Sequence, residues 1–558
     1  MRLAELVAAL SLGIDLGFGQ PMEHVLRQCL IALRIGERVG LDERAREVVY
    51  YTALLINVGC HTDAHEQAKW FGDDIEMKSR KYDAEWHEGP IRAAVHGLRG
   101  IGAGLPLVHR FRLGIEFLIS GHREVGGMVT AHAKIAKTLA EQLVSREVAD
   151  AVGCAYEQWD GRGFPGNMSG VEIPIPARIA ALAEYVEVAH RIGGASAVVE
   201  LAVQRSGKQF DPALCRLLRE QAPRIVDGID AVSAWQAVVD HEPALAVTLS
   251  DVEFDSALLA IANYIDLKSP YTLGHATAVS ALASAAGNVL GLPAREIAAL
   301  RRAGLVHAFG RLGISNSIWD KPGPLGAGEW ERVRMQPYFT HRMLSQSPAL
   351  APLAAIVADL RERLDGSGYP RGISGASISR PARILAAVDV YQAMRAPRPY
   401  RPARPADDAA RMLREEARAG RLDHEIVEAV LGAAGHETRQ RRDGPSGLTA
   451  REIDVLRLPA RGCRRSRSPS GSSSRRRRRA TISSTFTARS TRPTGWPRAS
   501  SPSSTACSPR TERLLSDQKW GELPMSRRGR TRSFSRRKRG KRWVSTRVST
   551  KKGYFRVS

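Results

Sequence analysis

No apolar run in the 558 residues reaches the roughly 20 that a helix needs to span a bilayer, which excludes a helical membrane protein. Cysteine is scarce and scattered: Cys29, Cys60, Cys154, Cys215, Cys463 and Cys507 include no CxxC pair. This excludes a disulfide scaffold and a zinc ribbon, and it fits a reducing cytosol. Alternating polar–apolar stretches are rare, so a sheet-based fold is not expected. The N-terminal stretch MRLAELVAALSLGIDLGFG is apolar and has an early Arg2. Glu5 and Asp15 interrupt it, and no small-residue cleavage site follows, so it does not read as a secretion signal. A cytoplasmic protein with no membrane partner is expected.

Most of the chain also lacks a charge imbalance. The formal net charge is +24, but residues 461–558 hold 29 Lys/Arg against 3 Asp/Glu, whereas the first 460 residues hold 53 against 55. The basic character belongs to the tail, and any nucleic-acid reading concerns the tail alone.

What the sequence does contain, over residues 20–435, is amphipathic helix. MEHVLRQCLIALRIGERVG and ALRRAGLVHAFGRLGI place apolar residues three and four apart, and short Gly/Pro stretches separate the helical runs. An internal repeat sets the organisation. DGRGFPGNMSGVEIPIPARIAA (160–181) recurs as DGSGYPRGISGASISRPARILA (365–386) at an offset of 205, and His24 and Gly59 recur as His275 and Gly310 at an offset of 251. The first copy therefore carries 46 more residues between these landmarks, including a stretch rich in His, Asp and Trp after Gly59. The expected fold is all-α: two helical bundles in tandem, residues 1–240 and 250–437, each with its own core, followed by a disordered basic tail.

In DGSGYPRGISG the glycines permit close backbone approach and Pro370 fixes a turn, which by itself is an ordinary connection between helices. Here it is followed by PARILAAVD, with Asp389 on a helix, and preceded by a His at the end of an apolar helical run. A helix-borne His combined with a downstream acidic helix residue is how bundles build metal sites.

His275, LVHAFGRLGI, IWDKPGPL, Gly368–Pro370 and Arg398–Tyr400 together resemble the HD-GYP family, a helical branch of the HD superfamily whose members cleave cyclic di-GMP at a centre of two or three metals. The resemblance is strong over 250–435 and weaker over 20–215, where GFP replaces GYP. It implies a divalent metal cofactor, Mn or Fe, and a cyclic dinucleotide partner. Phosphodiester hydrolysis by two metals about 4 Å apart needs a carboxylate to bridge them, in this family the Asp of a His-Asp pair.

The resemblance places His275, His307 and Asp389 at ligand positions in the second copy. Ala308 stands where the bridging Asp belongs, Gln336 replaces a further His, and Leu360–Arg361 replace a His-His pair. In the first copy it places His24, His132 and Glu184 at weaker ligand positions, with Ile56–Asn57 and Ala155–Tyr156 replacing the two paired motifs. Lys321, Arg363, Gly368, Tyr369 and Pro370 fall at substrate-side positions. Three readings of the second copy stay open: histidines that only satisfy the helices, a single weakly held metal, or an intact centre with unusual ligands. The implied activity is metal-dependent phosphodiester hydrolysis, impaired because both bridging carboxylates are missing. His61, Asp63, His65, Glu66, Asp73 and Asp74 match no compact site and read as a polar surface loop.

LTAREIDVLRL (448–458) opens with a capping box, Thr449 and Glu452, ahead of Ile453, Leu456 and Leu458. It resembles the first helix of a LuxR-type helix-turn-helix, here residues 446–462, and implies an ancestral DNA-binding regulator. Pro459 interrupts the helix, and no second or third helix follows. From Cys463 to residue 558, Arg, Ser, Thr and Pro dominate, as in a GC-rich coding region read out of frame. Such a composition is expected to be disordered and to bind DNA at most non-specifically.

Overall fold

The computed structural model describes residues 1–79, 101–102, 107–117, 119, 122–243 and 247–437. The chain divides into two compact units, Met1–Val455 and Leu456–Ser558. The second unit, the helix-turn-helix resemblance and the basic tail all lie outside the described residues.

The described part is all-α, and its only β features are isolated bridges such as Arg2 with Thr248. The first copy contributes α1 (Leu3–Gly17), α2 (His24–Arg38), α3 (Glu43–Leu55), α4 (Ala64–Phe71), α5 (Leu107–Glu116), α6 (His122–Leu143), α7 (Arg146–Gly153), α8 (Ile175–Arg205), α9 (Pro212–Val226) and α10 (Ala234–Asp240). The second contributes α11 (Asp251–Asp266), α12 (His275–Val289), α13 (Ala294–Val306), α14 (Asn316–Trp319), α15 (Ala327–Arg334), α16 (Gln336–Leu344), α17 (Ala351–Ala358), α18 (Arg380–Arg395), α19 (Ala406–Arg418) and α20 (His424–Ala433). Local chemistry sets the starts. Asp42, Ser145, Ser379 and Asp423 accept backbone N–H groups ahead of α3, α7, α18 and α20, and Ser250 with Glu253 closes a capping box on α11.

The repeat is built by the same devices twice. Asp15 and Asp266 each accept the N–H of the residue after the helix-starting histidine, Val25 at 3.0 Å and Ala276 at 2.8 Å. Glu157 and Glu362 each accept backbone N–H groups from the Gly/Pro turn, at Gly166 and Asn167 and at Arg371. Arg178 pairs with Asp211, and Arg383 with Asp423.

The expectation of two separate cores is corrected: one apolar core runs through both copies. The reason is α1. It is apolar on nearly every face, and 13 of its 15 residues are buried, as a helix enclosed on all sides must be. It packs on α2 and α3 of the first copy, and also on the turn Phe309–Gly313 and α16 of the second. Gly13 makes this approach close, because a Cβ there would sit 2.7 Å from Leu312.

The stretch after Gly59 is likewise not a surface loop. His61 and Asp74 are fully buried, while His65 is half-buried. Asp74, which opens a helical stretch over 74–79, accepts from Lys78 (3.3 Å), Lys268 (3.2 Å), Ser315 Oγ (2.8 Å) and the Asn316 N–H (2.8 Å). His65 pairs with Asp320 at 2.8 Å. Asp74 and His65 thus brace the second copy, and these two side chains, which read as solvated, are enclosed because each finds a partner across the copies.

Candidate functional site

Three side chains from three helices converge in the second copy. His275 opens α12 after Gly274, which supplies the left-handed turn (φ 71°). His307 follows the last turn of α13, and Asp389 sits mid-way along α18. One ligand atom from each lies within 4.8 Å of the others, and this is the only such group of three among the described residues.

The protonation pattern follows from the partners. His307 Nδ1 lies 2.7 Å from the Gly304 carbonyl, which can only accept, so Nδ1 carries the proton. Its Nε2 faces the cluster, 3.5 Å from Asp389 Oδ1. Gln336 donates to the His307 carbonyl at 2.9 Å and fixes the backbone. Burial pushes His275 down to about 3, so its ring is neutral and Nε2–H donates to Asp389 Oδ1 at 3.0 Å. Burial alone would raise the Asp389 carboxyl, but the Arg361 charge and the histidine contacts hold it well below the usual carboxylate range. Arg361 Nη1 donates to Asp389 Oδ2 at 2.6 Å.

Arginines crowd this site. Arg311, on the turn after His307, is 7% exposed, and its Nε and Nη1 have no hydrogen-bond partner among the described residues. Burial lowers it to about 10 against the nearby charges of Asp389 and Asp266. Arg398 donates to the Tyr271 carbonyl at 2.5 Å. Together with Arg361 and Asp389 these groups line a cavity of about 270 Å³.

The donor set does not fit a two-metal centre. A bridging carboxylate is absent, because Ala308 is buried at that position with no oxygen to offer. The one carboxylate present has an oxygen committed to a guanidinium where a second cation would have to bind. His275, His307 and Asp389 form a cradle for at most one ion, and Arg361 competes for it.

The remaining sequence-derived positions divide. Lys321 lines the cavity, but its Nζ pairs with both oxygens of Glu329 at 2.9 and 2.7 Å. Tyr369 lines the cavity and precedes Pro370 through a cis peptide. Gly368 serves backbone packing, since a Cβ there would lie 2.4 Å from Arg363 N. Arg363 turns to the Glu362 carbonyl at 2.8 Å.

In the first copy His24, His132 and Glu184 form no three-ligand group. His24 pairs with Glu187, one helical turn beyond Glu184, and His132 pairs with Asp63. Glu184 and His132 line a separate cavity of about 390 Å³ with Cys60 and Tyr156, whose Sγ and hydroxyl oxygen lie 2.6 Å apart. The sequence reading missed Glu187 and Arg311, and it took Asp63, the partner of His132, for surface-loop polarity. Arg311 had a usable signal: an arginine four residues after a ligand-position histidine, in an otherwise apolar turn.

A family profile described as HD domain matches residues 122–214 and 260–426. A 3'3'-cGAMP-specific phosphodiesterase 3 of Vibrio cholerae is 31% identical over 437 residues, covering 77% of this chain and 94% of that protein. A cyclic di-GMP phosphodiesterase of Pseudomonas aeruginosa is 33% identical over 193 residues, 34% of this chain and 45% of that protein. A crystal structure of a cyclic GMP-AMP-specific phosphodiesterase of V. cholerae superposes with a TM-score of 0.54 at 28% identity, covering 78% of this chain and 98% of that one.

Proposed function

The chain belongs to the HD-domain family, among relatives that are cyclic-dinucleotide phosphodiesterases, and on that premise we propose that it is a regulatory protein that binds a cyclic dinucleotide while hydrolysing it negligibly. The observation that carries this reading is the Arg361–Asp389 ion pair beside Ala308. Hydrolysis needs a hydroxide generated at neutral pH and positive charge on both the attacking and leaving oxygens. This cluster supplies charge but no carboxylate to hold a pair of metals about a hydroxide: Ala308 has no oxygen to offer, and the guanidinium paired with Asp389 does not give up its proton.

Purified protein supplied with Mn or Fe is expected to turn over 3'3'-cGAMP and cyclic di-GMP far more slowly than about 1 per second, the lower end of ordinary enzyme rates. Ala308→Asp alone should not restore activity while Leu360 and Arg361 remain. Product formation by the native chain at an ordinary enzymatic rate would refute the proposal.

The same proposal includes a cytoplasmic location and an ancestral coupling to DNA through residues 446–462. The charge of residues 461–558 supports a second reading for the tail, sequence-independent adhesion to DNA driven by counterion release. Specific and scrambled duplexes should bind equally, both weakening steeply as salt rises, and truncation at residue 445 should abolish the binding. A hundredfold preference for one sequence that survives raised salt would overturn this, since the roughly 2.7 kcal/mol of discrimination it represents requires base contacts from an ordered reader.

A further inference from the structure

We propose that the second-copy cavity recognises its anionic ligand through guanidinium groups standing where a metal centre would supply positive charge, so that ligand binding is independent of metal. The proposal rests on the reading of the protein as a cyclic-dinucleotide binder and adds how the phosphate is held.

The cavity holds unmet hydrogen-bonding capacity. Among the cavity-lining side chains, the buried polar atoms without a partner are Arg311 Nε, Arg311 Nη1, Arg361 Nε, Trp319 Nε1 and Asn316 Oδ1. Four of these five are donors, and three belong to cations. A buried donor left unmade is costly, and a buried charge more so. Arg311 is the sharpest case: it is almost wholly enclosed, no carboxylate among the described residues lies within ion-pair distance, and it rests against the Trp319 ring at 5.5 Å. Such a group is stable when an anion completes it.

The charge balance points the same way. Five cations line the cavity: Lys268, Arg311, Lys321, Arg361 and Arg398. Lys268 is paired with Asp74, Lys321 with Glu329 and Arg361 with Asp389. Among the described residues Arg311 and Arg398 have no carboxylate partner; of the two lining carboxylates, Asp389 is taken by Arg361 and His275, and Asp320 by His65, Ser269 and the Asn316 amide. Two planar, always-charged forks without counter-ions suit the non-bridging oxygens of a phosphate, which they can grip in bidentate fashion. Trp319, Trp330, Tyr271, Tyr369 and Tyr400 line the same space, and such faces stack on a nucleobase. The volume suits one nucleotide unit, with the partly exposed Trp330 and Tyr400 left for a second base.

The test is calorimetric titration of the full chain with 3'3'-cGAMP and, separately, inorganic phosphate, in EDTA and in Mn²⁺. Raised salt suppresses adhesion by the tail. The dinucleotide should bind equally well in both buffers. Arg311→Met should weaken it on the order of 30-fold or more, because one partner of a buried charge-assisted contact is lost. Its melting temperature should hold or rise, because an unpaired buried charge is gone, an effect that a structural ion-pair role would not give. Arg398→Gln should weaken binding as well and serves if the first variant does not fold. Binding that requires Mn²⁺ and vanishes in EDTA, wild-type affinity in both variants, or no binding in either buffer would overturn the proposal. Turnover without loss of metal independence would instead sink the non-catalytic reading and leave this one standing.

Discussion

Replacing Asp74 by alanine is expected to cost on the order of 3–5 kcal/mol of folding stability, the range for breaking a buried ion pair by removing one partner. Asp74 is fully buried, and it is the shared counter-ion of Lys78 and Lys268, both nearly as enclosed. Its loss strands two ammonium groups and frees the Ser315 hydroxyl and the Asn316 N–H, both of which it accepts at 2.8 Å. Lys268 and Asn316 line the ligand cavity, so binding should weaken together with stability. A thermal melt measures the loss. The triple exchange Asp74→Leu, Lys78→Met, Lys268→Met should recover most of it, since apolar replacement of a whole buried cluster is often neutral. A melting temperature for the single variant equal to wild type would show that the strut carries no load. The pH sign follows from the cause. Burial would raise the Asp74 carboxyl, but the Lys268 and Lys78 charges overcome this and hold it far below the ordinary 3.8. The contribution is therefore complete above about pH 4 and is lost as the pH falls toward the folded value.

Gly310→Ala should be as damaging for a steric reason. A Cβ at Gly310 would lie 2.0 Å from the Gln336 carbonyl oxygen and 2.7 Å from Thr340 Oγ1, so backbone at the start of α16 has to move. Overpacking of this kind costs about 1–3 kcal/mol and more where backbone must shift. Two bonds break with it, Gly310 N–H to Thr340 Oγ1 at 2.9 Å and Thr340 Oγ1 to the Gln336 carbonyl at 3.0 Å. Because Gln336 also holds the His307 carbonyl, the cluster should loosen. Denaturant unfolding should show a lower midpoint, with Gly323→Ala as the control, because nothing lies within 4 Å of its added Cβ. A Gly310→Ala midpoint matching the control would contradict the packing described here. Gly59 obeys the same rule in the first copy, where a Cβ would meet the His132 carbonyl at 2.2 Å.

The histidine cluster was legible because its positions are tied to helix landmarks. His275 and Asp389 sit at fixed distances from a repeated turn, and the same turn chemistry recurs at Glu157 and Glu362. The first copy misled at the same step, since Glu184 holds the matching position but His24 turns to Glu187, one helical turn further on. A single turn of helix changes which carboxylate meets a given ring, and spacing in the sequence does not resolve it.

By itself the sequence determined the helical class through its period of apolar residues, the two-fold repeat through its recurring Gly/Pro turn, and the presence of Asn57 and Ala308, neither a carboxylate, at matching positions of the two copies. Each of these is a local property, fixed by residue type and position. Only the tertiary structure decided what the charged residues do. Asp74 reads as loop polarity until Lys268, 194 residues away, is seen against it. Arg311 drew no reading from the sequence, yet its guanidinium is buried near Asp389 without an ion pair among the described residues. The apolar N-terminal stretch becomes the helix on which both copies close. Burial and counter-ions come from parts of the chain far apart in sequence, and the energy of a charge depends on that surrounding rather than on its neighbours along the chain.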